Sequence, residues 1–223
     1  MILTLFGPAG AGKGTQARFI SARFGLAHLS TGDLLRAERQ AGTPLGRKTD
    51  EIMNRGELVP DEIVLDIVRK ETERILAEGR GIIFDGYPRN LRQMRNLEGI
   101  LGELGVELDF GVSLDVNDDL LLRRLTARRV CEKCQKVFNL ISKPSEVEGV
   151  CDSCGGRLFQ RGDDEPSAIS KRLQEYHEQT EPLLAVLRGK GKLQTVNGDL
   201  SIGEVCAELV ALMEKQMRPG RIG

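Results

Sequence analysis

Lys13 stands near the end of a glycine-rich run, Gly7-Pro8-Ala9-Gly10-Ala11-Gly12-Lys13-Gly14-Thr15, behind the mostly apolar stretch Ile2 to Phe6. An apolar strand feeding a glycine-rich turn, then a helix-forming stretch from Gln16 to Phe24, builds a cradle for an anion. The glycines let backbone N–H groups turn inward, the helix N-terminus adds partial positive charge, and the lysine neutralises phosphate oxygens. The run fits the triphosphate-binding pattern G-x-x-x-x-G-K with one departure. Gly14 takes the place of the usual Ser or Thr, and Thr15 follows it.

A second constellation is Cys131, Cys134, Cys151 and Cys154, two C-x2-C pairs separated by sixteen residues. Four thiolates at this spacing can close a tetrahedral metal site, and Gly155-Gly156 gives the second pair a tight turn. Zinc suits an all-thiolate tetrahedron best, with iron as the alternative. Four protein ligands leave no open position, so the expected metal is structural. The surrounding insert has too little apolar content to hold itself together, and the metal supplies the missing stability. Cys206, beside Val205 and Leu209, reads as a small core residue.

Asp85 closes the apolar run Gly81 to Asp85, bounded by glycines as a buried parallel strand would be. Ligands of α/β proteins gather at such strand ends, and a carboxylate facing the Lys13 loop could hold Mg2+ directly or through water. Arg124 and Arg128 fall four apart in a stretch read as helix, Asp118 to Arg129, which places them on one face. Their planar forks suit phosphate oxygens, while Arg123 and Arg129 lie off that face. His28 and His177 suggest no acid–base relay and read as structural.

These residues need a frame. Strands are expected at Ile2–Phe6, Leu26–Ser30, Gly81–Asp85, Asp109–Leu114 and Leu193–Val196. Helices are expected from Asp33, as N-cap, to about Arg39, and over Leu45–Arg55, Glu62–Glu78, Leu91–Leu104, Asp118–Arg129, Pro166–Leu187 and Ile202–Met217. Strands alternating with helices predict an α/β fold, right-handed βαβ units around a parallel sheet with both faces covered. From Val130 to about Asp164 the composition changes, with four cysteines and few helix signals.

The chain has 223 residues, and its 32 Lys and Arg balance 33 Asp and Glu for a net charge of −1. No global field draws it to nucleic acid, and aromatics are only 4 %, with no Trp to stack on bases. No apolar run approaches the roughly 20 residues that span a bilayer. The N-terminus lacks a cationic region and reads as a first strand, not a signal peptide. The expected setting is the cytoplasm, where thiols stay reduced.

Asp85-Gly86-Tyr87-Pro88-Arg89 resembles the D-G-[FY]-P-R signature of adenylate kinases. So do Gly7 to Gln16, Ser30 to Arg36, Gly56 to Val59, Arg124 with Arg128, Arg161 with Asp163-Asp164, and Lys171-Arg172-Leu173. These motifs run in the family's order from residue 1 to about 200, closest to the long bacterial type with a four-cysteine zinc lid, and Gly-Lys-Gly-Thr is that family's form of the loop. The resemblance implies a P-loop nucleoside monophosphate kinase-like fold: a core of residues 1–29, 61–126 and 165–223, an AMP-binding insert over 30–60, and a zinc-braced lid over 127–164. It implies Mg2+-dependent transfer from ATP to AMP, giving two ADP, by a monomer. Lys13 and the stretch Gly10, Ala11, Gly12, Gly14 and Thr15 would grip ATP phosphates, with Thr15 near the metal and Asp85 orienting its waters. Arg128, Val137, Phe138 and the backbone at Leu200 would complete the ATP site. Thr31, Arg36, Glu57, Leu58, Val59, Gly86, Tyr87, Pro88, Arg89 and Gln93 would hold AMP, joined by Arg161 and Arg172. Arg89, Arg124, Arg128, Arg161 and Arg172 would converge on the phosphates when the lid closes and water is shut out.

Two other readings compete. A UMP or CMP kinase would share the mechanism; Asn90, where adenylate kinases usually carry Thr, leans that way, and Gln93, whose amide can pair with an adenine edge, leans back. A zinc-ribbon, nucleic-acid-dependent ATPase would combine the loop with the cysteines, but the charge balance and the scarcity of aromatics oppose it.

Overall fold

A computed structural model describes residues 1–217; the last six residues of the expected core, 218–223, lie outside the described residues. A parallel five-stranded sheet forms its centre, made of β1 (Ile2–Phe6), β2 (Ala27–Ser30), β3 (Ile82–Asp85), β4 (Phe110–Asp115) and β8 (Leu193–Asn197). Their order is β2-β3-β1-β4-β8. The strands show near-continuous apolar runs because both faces are covered, and neighbours in sequence face opposite sides. Ile2, Phe6, Ile82 and Phe84 pack toward one set of helices, while Leu3, Leu5, Ile83 and Val112 pack toward the other.

The first set includes α4 (Asp61–Ala77), α5 (Leu91–Glu103) and α8 (Glu181–Gly189); the second includes α1 (Lys13–Phe24) and α9 (Ile202–Met217). From β1 the chain crosses to the β2-β3 side, and later to the β4-β8 side. That reversal opens a crevice beyond the carboxyl end of β1, where such sheets bind ligands. The turn Gly7 to Gly12 occupies it, and the pairing of Leu5 with Asp85 brings the strand-end carboxylate alongside.

Between β2 and α4 lie α2 (Thr31–Gln40) and α3 (Pro44–Asn54). Ser30, not Asp33, caps α2: its hydroxyl accepts from the Asp33 amide, because the strand ends one residue before the helix begins. Thr43 caps α3 ahead of Pro44, whose missing N–H costs nothing at a first helical position.

Helix α6 (Asp118–Thr126) is shorter than expected. Arg128 belongs to β5 (Arg128–Cys131), so Arg124 and Arg128 do not share a helical face. Arg128 pairs with Asn139 and Val130 with Val137 of β6 (Val137–Asn139), while Cys131 pairs with Leu158 of β7 (Leu158–Phe159). This antiparallel ladder satisfies backbone groups that a continued helix would have bonded to itself. Cys131, Phe138, Cys151 and Leu158 form a small separate core beneath it.

The expected single helix Pro166–Leu187 is also interrupted. It runs as α7 (Pro166–Glu175), a π-helical turn Tyr176–Thr180, and then α8. Pro182 is the cause: it has no N–H, and in a regular helix its ring would strike the carbonyl four residues back. Cys206 is half-buried beside the buried Val205 and Leu209, on the edge of the core.

Gly56 joins α3 to the connector with φ +78°, and a Cβ there would meet the Ala168 carbonyl oxygen of α7 at 2.5 Å. Gly42 has φ +63° with open space around it. Gly56→Ala is therefore expected to destabilise the fold by about 2–4 kcal/mol, strain plus overpacking, and Gly42→Ala by only about 1 kcal/mol. Chemical denaturation of the two variants checks this, and equal losses would remove the packing contribution at Gly56.

Candidate active site

The Lys13 loop enters α1 through Gly12, the N-cap, at φ +95°, a conformation that side-chain-bearing residues seldom adopt. The Thr15 and Gln16 amides donate to the Gly12 carbonyl, and the Lys13 and Gly14 amides ahead of them are those that a helix start leaves without helical partners. The Lys13 ammonium donates to the carbonyls of Gly7 at 2.6 Å and Pro8 at 2.9 Å. Gly14 has a steric reason to lack a side chain, since a Cβ there would lie 3.2 Å from Asp85 Oδ2. The departure at position 14 lets the Asp85 carboxylate approach the loop.

Asp85 is buried, and its Oδ2 lies 3.1 Å from His28 Nε2. Burial alone would raise its pKa, but the His28 hydrogen bond and the Lys13 charge outweigh it and hold the carboxylate ionised. His28 thus touches a candidate site residue. Its place two residues before the end of β2, beside the end of β3, was the signal for it.

The segment after Asp85 is tightly organised. The Gly86 carbonyl accepts from Thr31 Oγ1 at 3.0 Å and from Arg89 Nε at 2.8 Å, which binds α2 to the strand end. Tyr87 is buried, its hydroxyl donating to the Gln93 carbonyl, and the Tyr87–Pro88 peptide is cis. Gln93 accepts the Arg89 amide on Oε1 at 2.8 Å and donates from Nε2 to Asp61 at 2.7 Å. Its amide positions Arg89 in this structure. Asn90 caps α5 by accepting the Gln93 amide, which gives it a structural role independent of any base.

Two adjoining hollows, of about 550 and 580 Å3, meet at Gly56, Leu58, Gly86, Arg89 and Arg172. Lys13 and Pro88 line the first; Thr31, Arg36, Glu57, Val59 and Gln93 line the second. Glu57 is also tied to Arg55 on the surface. Arg128 grips the fully buried Asp164 with two nitrogens, Nε at 2.7 Å, and Arg172 reaches both Asp163 and Asp164. Arg161 belongs to the same cluster.

The cations crowd one another. Burial lowers Lys13 from 10.5 to about 8; Asp85 opposes that shift, and Arg89, Arg172 and Arg128 add to it. Burial, reinforced by Arg36 and Arg128, brings Arg161 down to about 9. Arg172 falls to about 10, again chiefly by burial. The buried Nε atoms of Arg36 and Arg161 have no hydrogen-bond partner among the described residues. Positive charges held this close, with donors to spare, call for a polyanion between them.

Other expected residues stand apart from this cluster. Arg124 Nη1 donates to the Gly198 carbonyl at 2.9 Å, two residues before Leu200. Val137 is half-buried, and Phe138 is buried in the small core. Arg123 is exposed, and Arg129 folds back onto the carbonyls of Thr126 and Arg128.

The four cysteine sulfurs lie within 4.8 Å of one another. Cys131 and Cys154 are 3.4 Å apart and Cys134 and Cys151 3.6 Å, far beyond the roughly 2 Å of a disulfide and near the ~3.8 Å between thiolates on one zinc ion. In each pair the residue after the second cysteine is left-handed: Gly155 at φ 66° and Gln135 at φ 58°. Gln135 carries a side chain there, and its Nε2 bonds back to the Cys131 and Glu132 carbonyls. The cluster is compatible with zinc.

A family model described as adenylate kinase matches residues 5–192. The chain belongs to the adenylate kinase family. It is 46 % identical over 216 residues to the adenylate kinase of Thermodesulfovibrio yellowstonii, covering 97 % of this chain and all of the relative. It is likewise 46 % identical to that of Pelobacter propionicus, over 96 % of this chain and 97 % of the relative. With the Geobacillus adenylate kinase it shares 43 %, over 96 % and 98 %. The residues matched by the family model span the loop, the cysteine insert and the arginine cluster.

Replacing Cys131 and Cys134 together by Ser is expected to abolish stoichiometric metal, read by elemental analysis, and to lower the melting temperature more than it lowers turnover at 25 °C. Unchanged metal content would refute the four-sulfur site.

Proposed function

We propose that this adenylate kinase family enzyme transfers the terminal phosphoryl group of ATP to AMP, reversibly, with ATP on the Lys13 loop and AMP in the hollow beside α2 and α3. The observation that carries the reading is the joining of two hollows at Arg89 and Arg172, with Lys13 on one side and Arg36 on the other. Two nucleotides entering from opposite ends would meet phosphate to phosphate at the shared rim. Phosphoryl transfer needs in-line positioning and positive charge around the moving group, with no covalent protein intermediate.

Placement supports the following roles. Lys13 and the α1 amides would take the donor phosphates, and Thr31, Arg36, Leu58, Val59 and Gly86 the acceptor. Arg89, Arg128, Arg161 and Arg172 would stabilise the charge that spreads over the transferring group. Asp85 and Thr15 would hold the Mg2+ that accompanies ATP; the room left by Gly14 and the ionised state of Asp85 fit that role. The ion supplies charge neutralisation on the phosphates when bound.

Residues 127–164 would serve as a lid, 30–60 as the acceptor insert, and the rest as core. Zn2+ on the four cysteines would brace the lid so that it moves as one body and excludes water, the competing acceptor. The enzyme would act as a monomer. No helix among the described residues is long and apolar enough to cross a membrane, and the setting proposed for the enzyme is the cytoplasm, where its thiols stay reduced.

With ATP fixed, ADP formation from AMP is expected to exceed that from CMP, UMP or GMP by well over tenfold. A preference for CMP or UMP overturns the acceptor assignment. Lys13→Met is expected to cut kcat by roughly 10²–10³-fold. Its pKa also has a consequence for stability. In the folded protein Lys13 titrates near 8, below its ordinary 10.5, so between these values the unfolded chain holds the proton and the native state does not. Wild-type stability should therefore rise relative to Lys13→Met as pH increases from 8 to 10.5. Parallel denaturation curves across that window check it, and a flat difference removes the buried ammonium.

A further inference from the structure

The π-helical turn sits against the candidate site. In it the Glu181 amide donates to the Tyr176 carbonyl, five residues back, which amounts to one residue inserted into a regular helix. The insertion resets the phase of the helix beyond it. Arg172 and Thr180 are eight residues apart, and at about 100° per residue a regular helix would turn them roughly 80° from each other. With one residue absorbed by the bulge, the offset shrinks to about 20°. Both side chains then face the same way, and both line the hollow that holds Lys13 and Arg89.

Thr180 uses that orientation. It is buried, and its Oγ1 donates to the Arg89 carbonyl at 2.8 Å across ninety-one residues of sequence. Two further bonds hold Arg89, its amide on Gln93 Oε1 and its own Nε on the Gly86 carbonyl. Those two come from the segment that carries Arg89 itself. The Thr180 bond comes instead from the helix that carries Arg172, so it ties together the two arginines shared by both hollows.

We infer that Thr180, presented by the Pro182-induced turn, is a positioning residue for phosphoryl transfer: it fixes the Arg89 backbone, and so the Arg89 guanidinium, in register with Arg172. The inference rests on the role proposed above for Arg89. The Thr180 hydroxyl proton is committed to the Arg89 carbonyl. Thr180 acts through the arginine, and a bound phosphate displaced by even 1 Å is enough to slow transfer severely.

The test compares Thr180→Val, which removes only the hydroxyl, with Thr180→Ser, which keeps it, each alone and combined with Arg89→Lys. Steady-state kinetics for both substrates and thermal melting are measured on the full chain. Thr180→Val is expected to lower kcat/KM for AMP roughly tenfold with KM for ATP within twofold of wild type, and Thr180→Ser to restore wild-type kinetics. In the Arg89→Lys background the Thr180→Val effect should fall below twofold, since its target is already lost. Wild-type kinetics in Thr180→Val, equal loss in Thr180→Ser, or a full tenfold effect on top of an impaired Arg89→Lys would each overturn the Thr180 link. Unchanged AMP kinetics in Arg89→Lys alone would instead overturn the Arg89 assignment, and the Thr180 role with it.

Discussion

Repulsion among confined cations is the constraint on which the rest of this structure depends. Lys13, Arg89, Arg161 and Arg172 are each made less basic by burial and by their positive neighbours. Left to themselves such groups would splay into solvent. Three carboxylates hold them instead: the buried Asp85 near Lys13, and the half-buried Asp163 and buried Asp164 beside Arg128 and Arg172. Burial opposes ionisation of Asp163, yet Arg172, Arg128 and Arg161 keep it low. The carboxylates offset part of the positive charge and leave the remainder for phosphate, and an unsatisfied guanidinium Nε on Arg36 and on Arg161 marks where that remainder lies.

The fold brings these charges together by long-range contacts. The switch of direction around β1 opens the crevice, and the register of β1 with β3 sets Asp85 beside the loop. Arg36 comes from α2, Arg89 from the loop after β3, Arg128 from β5 and Arg172 from α7. No segment could assemble the site alone. Placing catalytic charge at the junction of several elements also means that relative movement of those elements can build or dismantle the site, which suits an enzyme that must keep water from an activated phosphoryl group.

The cysteine insert meets a different need. Its own core is four residues, Cys131, Phe138, Cys151 and Leu158, too small to order a stretch of nearly forty residues by burial of apolar surface. Two turns with left-handed corners aim four sulfurs at one point. Because Gln135 occupies one of those corners, where glycine would fit without strain, side-chain hydrogen bonds to its own turn offset the cost.

Much of this was legible in the chain. The glycine-rich run, the strand-end Asp85 and the paired cysteines each follow from local chemistry: a tight turn needs glycine, a buried strand ends where charge begins, and a metal knuckle needs two residues between its ligands. Most element boundaries were within one or two residues for the same reason. The features that were not legible share a cause. Arg128 looked helical because spacing reports local periodicity, whereas pairing of its backbone with β6 decided otherwise. Gln93 and Asn90 carry polar atoms suited to a base edge, yet Asp61, from another helix, and the cap of α5 engage those atoms in the fold. Pro182 fell inside what was expected as one helix, and local pattern gave neither the π-helical turn nor the way Thr180 points in it. By itself the sequence determined the chemistry on offer and the turns that bear it, because those depend on neighbours along the chain. Which arginines meet, which carboxylates restrain them and which hydroxyl holds Arg89 were decided only by the tertiary structure, because each of those bonds closes a loop that local sequence cannot specify.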